Sequence, residues 1–237
     1  MISSRETYLD IAKGIGIFLV VVGHCIPDAS SVNGISSPLM RIIFHVIYSF
    51  HMPLFFFISG FLFSASKDTL KNKYKSIYKK AKRLIVPYVF VGLCYAPLKL
   101  LLSQFANKPY NIHDLWKMLI GINPDGELWF LYALFVISVI AIIVEGVNSK
   151  IILLISLIVT LNNSFLIIVT NHAFYFFLGA YIRNNTCCLF DKNLKIASLH
   201  FIVFVSANLM QKIFGYYPVG HILTAVSGIY LTLFISE

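Results

Sequence analysis

The chain has 237 residues, of which 58% are hydrophobic, 15% aromatic and only 12% charged. Soluble domains carry roughly 25% charged residues, so too few charges are present to cover a water-facing surface, and lipid must be the solvent for most of the chain. The net charge of +9 does not point to nucleic acid, because eight of the 19 Lys and Arg residues lie between Lys67 and Arg83, beside apolar segments, which is the pattern of a cytoplasmic loop.

In chain order the apolar runs are 14–26, 42–64, 84–102, 128–144, 151–161, 165–182, 196–210 and 219–235. A helix crossing the hydrocarbon core takes about 20 residues, and shorter runs still cross where their polar ends line a protein interior. The first run lacks a small-residue cleavage site, so it is expected to stay as a span and not to act as a removable signal. Between 151 and 182, Asn162, Asn163 and Ser164 either turn a hairpin or interrupt one long helix. Charge decides: with the Lys67–Arg83 loop cytoplasmic, two spans put Arg183, Lys192 and Lys195 on the same side, and one span puts them outside. The expected fold is therefore all-α, a polytopic membrane helix bundle of about eight spans with both termini cytoplasmic. No internal repeat or second domain is evident, and residues 1–237 read as a single membrane-embedded domain.

Two connectors stand out. Residues 103–127, with Pro109, Gly121, Pro124 and Gly126, form the longest outer segment, a place to meet a water-soluble substrate. In the basic connector Leu70, Tyr74, Ile77, Ala81 and Leu84 recur at spacings of four and three, opposite Lys71, Lys75, Lys79 and Lys82. That pattern predicts an amphipathic helix lying at the membrane surface and running into the span that begins at Leu84.

The first span carries Asp10, Lys13 and His24. Ionisable groups in a membrane helix cost several kcal/mol unless they face a partner or a wet cavity. Lys13 and His24 are eleven residues apart, which is three turns to within about 20° and roughly 16 Å of rise, so they share a face. Asp10 lies one turn from Lys13 and can pair with it, while Gly14, Gly16 and Gly23 allow close approach to the backbone. A cation near the cytoplasmic end and an imidazole three turns deeper describe one wall of a tunnel. The structural alternative has Lys13 snorkelling to the interface and His24 bonded within the bundle.

In the second span Pro53 has no N–H, so the carbonyl of Ser49 loses its helical partner and a kink is expected beside His51. His51 is then either a polar functional site or the group that repairs the kink by hydrogen bonding. His45 and His51 are about 120° apart around the helix and make no metal pair, so no metal centre is assigned. Cys25 and Cys94 lie in apolar runs and Cys187–Cys188 in a loop, which gives no disulfide framework. Cys25 reads as a small apolar helix residue, not as a nucleophile.

The strings Tyr8-Leu9-Asp10-Ile11-Ala12-Lys13-Gly14-Ile15-Gly16-Ile17 and Gly23-His24 resemble the opening of the acyltransferase family 3 membrane proteins, most of all the fucose 4-O-acetylase-like subgroup. Tyr48 through Phe61, including His51, Pro53, Ser59 and Gly60, resembles that subgroup's second helix. Lys80-Ala81-Lys82-Arg83-Leu84 resembles its basic turn into the third, and Leu128-Trp129-Phe130-Leu131 the start of its fourth. The likeness is specific over 5–90 and 127–135 and weak beyond about 185. It implies transfer of an acyl group, usually acetyl, from cytoplasmic acyl-CoA as co-substrate to a cell-envelope carbohydrate, in the inner (plasma) membrane, with no tightly bound cofactor. Lys13 and His24 match the family's cation and histidine, and Lys80 and Arg83 its basic pair. Lys stands at both first positions where Arg is usual, which removes bidentate phosphate binding there. The family has about ten spans, so the chain is expected to be incomplete at its C-terminal end.

On that reading His24 is the base that takes the acceptor's hydroxyl proton, and Lys13 anchors an anionic part of the donor or orders the site. The Lys67–Arg83 block docks the polyanionic acyl-CoA, besides marking topology and meeting anionic lipid. Asp125 and Glu127 are either sugar contacts or ordinary helix N-terminal acids. Trp129 either stacks on a sugar or anchors at the interface, and His113, His172, His200 and His221 carry no motif. The competing functions are a transporter or flippase of a sugar-containing substrate and a non-catalytic membrane subunit.

Overall fold

The computed structural model describes residues 7–26, 37–63, 70–102, 111–162, 167–185, 193–215 and 217–237, and no β-strand occurs among them. Nine α-helices are described: α1 (Thr7–Cys25), α2 (Pro38–Tyr48), α3 (His51–Phe61), α4 (Leu70–Leu101), α5 (Trp129–Ile143), α6 (Ser149–Leu161), α7 (Ile167–Asn185), α8 (Leu194–Phe214) and α9 (Pro218–Ser236). A 3₁₀ helix, Ile112–Ile120, lies between α4 and α5. The described part of each of the eight apolar runs falls on helix or at a helix edge, the second run on α2 and α3 together. Among the described residues five segments are long and apolar enough to cross a bilayer: α1, α2 with α3, α4 from Asn72, α8 and α9. Helices α5 and α6 are shorter apolar helices. The stretch 151–182 forms two helices, α6 and α7, and Thr160 Oγ1 donates to Thr170 O at 2.7 Å between them. The protein is a polytopic helical membrane bundle.

The chain divides into two compact units, Met1–Phe63 with Tyr175–Glu237, and Ser64–Phe174. In the first unit α1 packs on α3 and α9, and α8 packs along α9. The inward face of α1 carries Leu9, Ala12, Gly16 and Gly23, whereas Ile11, Ile17, Phe18 and Val21 point outward and are exposed. Small residues inside and large apolar ones outside are what a lipid solvent selects, because lipid offers helices no hydrophobic reason to associate and close backbone packing must do so instead. A Cβ on Gly60 would strike the Phe176 carbonyl, and one on Gly179 would strike the Phe57 carbonyl. Both glycines are therefore required where the two backbones cross. The interior in turn holds polar groups that satisfy themselves locally: Thr232 Oγ1 donates to Gly228 O at 2.8 Å and Ser236 Oγ to Thr232 O at 2.7 Å.

The second unit is built on α4, which packs against α5 and the 3₁₀ helix. Its 32 residues make a rod of about 48 Å, longer than the roughly 30 Å hydrocarbon core. The basic connector is the first part of this continuous helix and runs into the span at Leu84 as its pattern predicts. No helix-breaking signal separates it from Leu84, and the first proline, Pro87, lies inside the span. Lys67 and Asp68 lie outside the described residues. Lys73 Nζ stands 3.8 Å from Glu145 Oε2, so the basic start of α4 meets the turn after α5. At the other end of α4, Tyr88 Oη donates to Met118 O at 2.9 Å, Asn123 Nδ2 to Tyr88 O at 2.9 Å and Lys99 Nζ to Pro124 O at 2.9 Å. Tyr132 Oη donates to Leu119 O at 2.9 Å. Lys99 and Tyr132 serve carbonyls that the 3₁₀ helix end and its following turn leave open, Tyr88 adds a donor to Met118 O, which also accepts from Gly121 N, and Asn123 bonds a carbonyl within α4.

Candidate active site

The expected kink in the second span is a break. Helix α2 ends at Tyr48, Phe50 leaves helical geometry at φ −143°, and α3 begins at His51, two residues before Pro53. His51 Nδ1 lies 2.8 Å from Ile47 O. A carbonyl oxygen only accepts, so Nδ1 bears the proton and the Nε2 of a neutral ring bears the lone pair. His51 thus makes the repairing hydrogen bond, to the carbonyl of Ile47, and not to that of Ser49. It is 3% exposed, and the bond fixes both its rotamer and its tautomer.

Tyr48, the last residue of α2, joins the two motif histidines. Its ring meets His51 edge-on at 4.8 Å between centroids and His24 edge-on at 6.5 Å. Phe44 stacks behind it at 3.8 Å. His24 and His51 are also electrostatic neighbours. The approach depends on Gly23: a Cβ there would lie 2.9 Å from Tyr48 Cε2, closer than real Cβ contacts come. Three elements thus converge, α1 with Gly23 and His24, α2 with Tyr48, and α3 with His51.

His24 is the next-to-last residue of α1 and is exposed. Lys13 Nζ donates to Asp10 Oδ1 at 3.1 Å, with both side chains about one-third exposed (36% and 34%). On the helical wheel Lys13 and His24 lie roughly 80° from the buried line of α1, so they flank the packing seam without being sealed in it. Cys25 follows His24 and is exposed. Cys187 and Cys188 lie outside the described residues.

Lys80, Arg83, Glu127 and Trp129 belong to the second unit. Lys80 is half-buried and Arg83 exposed on the first part of α4. Glu127 is exposed in the turn before α5, where its N–H is bonded to Asp125 O. Trp129 opens α5, and its ring packs against His172 at 5.0 Å and 44°. Burial pushes the Asp125 carboxyl above the usual range, against the opposing pull of Lys99. Asn123 Oδ1 accepts from Asp125 N at 3.0 Å and holds this turn.

Sequence reasoning did not single out Tyr48, His172 or His221 by role. Tyr48 was legible, since it lies three residues before His51 and so one turn away. The partners of His172 and His221 come from other helices and left no local signal.

Two curated relatives are similar to this chain. The nodulation protein NolL of Mesorhizobium japonicum is 28% identical over 156 residues, 65% of this chain and 40% of its own length. The nodulation protein NolL of Sinorhizobium fredii is 32% identical over 136 residues, 55% of this chain and 34% of its own. The match therefore spans less than half the length of either relative. No solved structure matches the chain. The family described as an acyltransferase domain matches residues 6–236, nearly end to end, and this membrane protein belongs to that acyltransferase family.

Proposed function

We propose that the chain transfers an acyl group, acetyl, from cytoplasmic acyl-CoA to a hydroxyl of a cell-envelope carbohydrate in the inner membrane. The observation that carries this reading is the meeting of His24, Tyr48 and His51 at one end of α1, on the same helix face as the Lys13–Asp10 pair. Membership of the acyltransferase family supports the reaction class, and the subgroup resemblance of the His24 and His51 segments supports the carbohydrate acceptor.

In the step we propose, the His24 imidazole takes the proton of the acceptor hydroxyl as its oxygen attacks the thioester carbonyl. The tetrahedral intermediate collapses with cleavage of the C–S bond. The acyl group stays on the sugar oxygen, and the thiolate of CoA leaves with the proton that His24 returns. Tyr48 and His51 orient His24 and the reacting hydroxyl. Lys13, held by Asp10, is a fixed positive charge on the donor's approach, and Lys80 and Arg83 meet its phosphates.

The test is the O-acetylation profile of the cell's glycans, read by mass spectrometry, with the gene intact, deleted and carrying His24→Ala. Loss of O-acetyl groups in both altered strains, with the variant protein still accumulating in the membrane, is expected. Unchanged glycans in the His24→Ala strain would remove His24 as the base, and unchanged glycans on deletion would remove the function.

A further inference from the structure

A second set of polar side chains lies in the first unit, away from the sequence motifs. Tyr175 of α7 is fully buried, and its Oη lies 3.3 Å from His221 Nδ1, in the first turn of α9. Thr224 Oγ1 donates to His221 O at 2.9 Å, and Gln211 Nε2 of α8 reaches Thr224 Oγ1 at 3.3 Å. Thr224 and Gln211 are 0% and 5% exposed. One turn from Gln211 on the same buried face of α8 is Asn208, 8% exposed. Its Nδ2 donates to Phe204 O at 2.8 Å, while its Oδ1 is buried without a hydrogen-bond partner among the described residues.

Three helices thus contribute polar groups to one place in a bundle whose outer surface is apolar. Each is expensive in a membrane interior, and an acceptor left unbonded there costs more than one that is paired. A purely structural helix contact is made more cheaply with small apolar residues, and Ala207 and Ala225, each next in sequence to one of these polar groups, are buried. The buried members hold His221, which is itself only half-buried. A part-exposed imidazole on a rigid, hydrogen-bonded backing is the arrangement of a ligand-binding group.

Position then says which ligand. His221 is an electrostatic neighbour of His45, which is exposed on α2 one turn before Tyr48. Tyr48 is the residue that touches both His24 and His51. His45 on α2 thus stands between the proposed base, one turn away through Tyr48, and His221, whose charge it feels. The hydrogen bonds described in this second set join phenol, amide, hydroxyl and imidazole groups. Such groups both donate and accept, which matches the hydroxyls of a sugar and not the phosphates of a nucleotide thioester.

We infer that His221, backed by Tyr175, Thr224 and Gln211 and extended by His45 and Asn208, is the station that binds the hydroxyls of the carbohydrate acceptor. The inference rests on the acyl-transfer reading above and names the acceptor subsite of that reaction.

The experiment uses membranes containing the full chain, radiolabelled acetyl-CoA, and as acceptor the unacetylated envelope glycan extracted from the deletion strain. Acceptor KM, acetyl-CoA KM and acceptor-independent acetyl-CoA hydrolysis are measured for wild type, Tyr175→Phe, His221→Asn and Thr224→Ser. Tyr175→Phe and His221→Asn are expected to raise acceptor KM about tenfold, one hydrogen bond's worth, with acetyl-CoA KM and hydrolysis unchanged. Thr224→Ser keeps the hydroxyl that holds His221 and is expected to raise acceptor KM less than Tyr175→Phe does; an equal or larger rise overturns the backing role. Should His221→Asn fail to accumulate, Tyr175→Phe, which keeps the ring's volume, decides alone. An unchanged acceptor KM, or a rise in acetyl-CoA KM alongside it, overturns the assignment. Wild-type membranes that transfer no label overturn the function itself, a distinct result.

Discussion

In the unit that contains α1, α2 and α3, the imidazoles and the tyrosine that meet one another lie on or beside helix ends but bond across elements. In the unit built on α4, most side-chain hydrogen bonds serve backbone, beside the Lys73–Glu145 ion pair and the Trp129–His172 ring contact. His24, Tyr48 and His51 touch ring to ring, and His221 meets Tyr175. By contrast, Tyr88, Lys99 and Tyr132 each donate to a carbonyl of the 3₁₀ helix or its following turn, and Asn123 to one of α4. A helix end leaves up to four backbone groups open, and side chains that fill them need no further explanation. Side chains that turn to each other inside a membrane bundle do, because water is absent and each must be stabilised by a partner or a ligand. The difference separates residues placed for chemistry from residues placed for architecture.

That separation is easiest to break at its strongest point. His24→Ala should lower acyl transfer by about 10²–10⁴-fold while leaving protein abundance unchanged, whereas Tyr132→Phe in the other unit should leave transfer intact and lower the melting temperature in detergent. Equal effects on transfer would erase the contrast. Next in size is His51, which combines both roles. His51→Leu removes the donor to Ile47 O, a carbonyl that also accepts from Phe50 N at 3.3 Å, so the stability loss should be only about 1 kcal/mol. The activity loss should be larger, and a stability loss without an activity loss would place His51 with the architectural group.

Lys80→Ala with Arg83→Ala removes two cations of the kind that contribute about 0.5 kcal/mol each at a surface. Affinity for acetyl-CoA, measured by titration in detergent, should weaken by about fivefold. Unchanged affinity would assign the basic start of α4 to topology alone.

The smallest effect belongs to Asp125. Burial raises its folded carboxyl pKa, so the folded chain holds that proton more tightly than the unfolded chain. Its contribution is therefore favourable at low pH and is lost as pH rises through the folded value. Asp125→Asn should melt slightly higher than wild type at pH 7, and the gain should vanish once the carboxyl is protonated. A gain that grows on acidification would mean the Lys99 attraction outweighs burial.

Much of this was legible from the residues in order. The eight apolar runs, the break near Pro53, the Asp10–Lys13 pairing and the common face of Lys13 and His24 all follow from hydropathy and helical period, which act over a few residues at a time. The division of 151–182 into two helices came from counting charges on either side of a membrane. The run of the basic connector into the span at Leu84 was legible as well, because no helix breaker stands before Pro87.

By itself the sequence determined the solvent of this protein, the order of its apolar helical segments, and the positions where ionisable groups interrupt apolar ones. Tertiary structure decided which of those groups meet. The ring of Tyr48 reaches His24 because Gly23 presents no side chain to it, and His221 meets Tyr175 because α7 and α9 are neighbours. Helix formation is satisfied within each segment and costs the same wherever the segment goes. Partnership between helices depends on close packing of surfaces far apart in the chain, which no local pattern encodes.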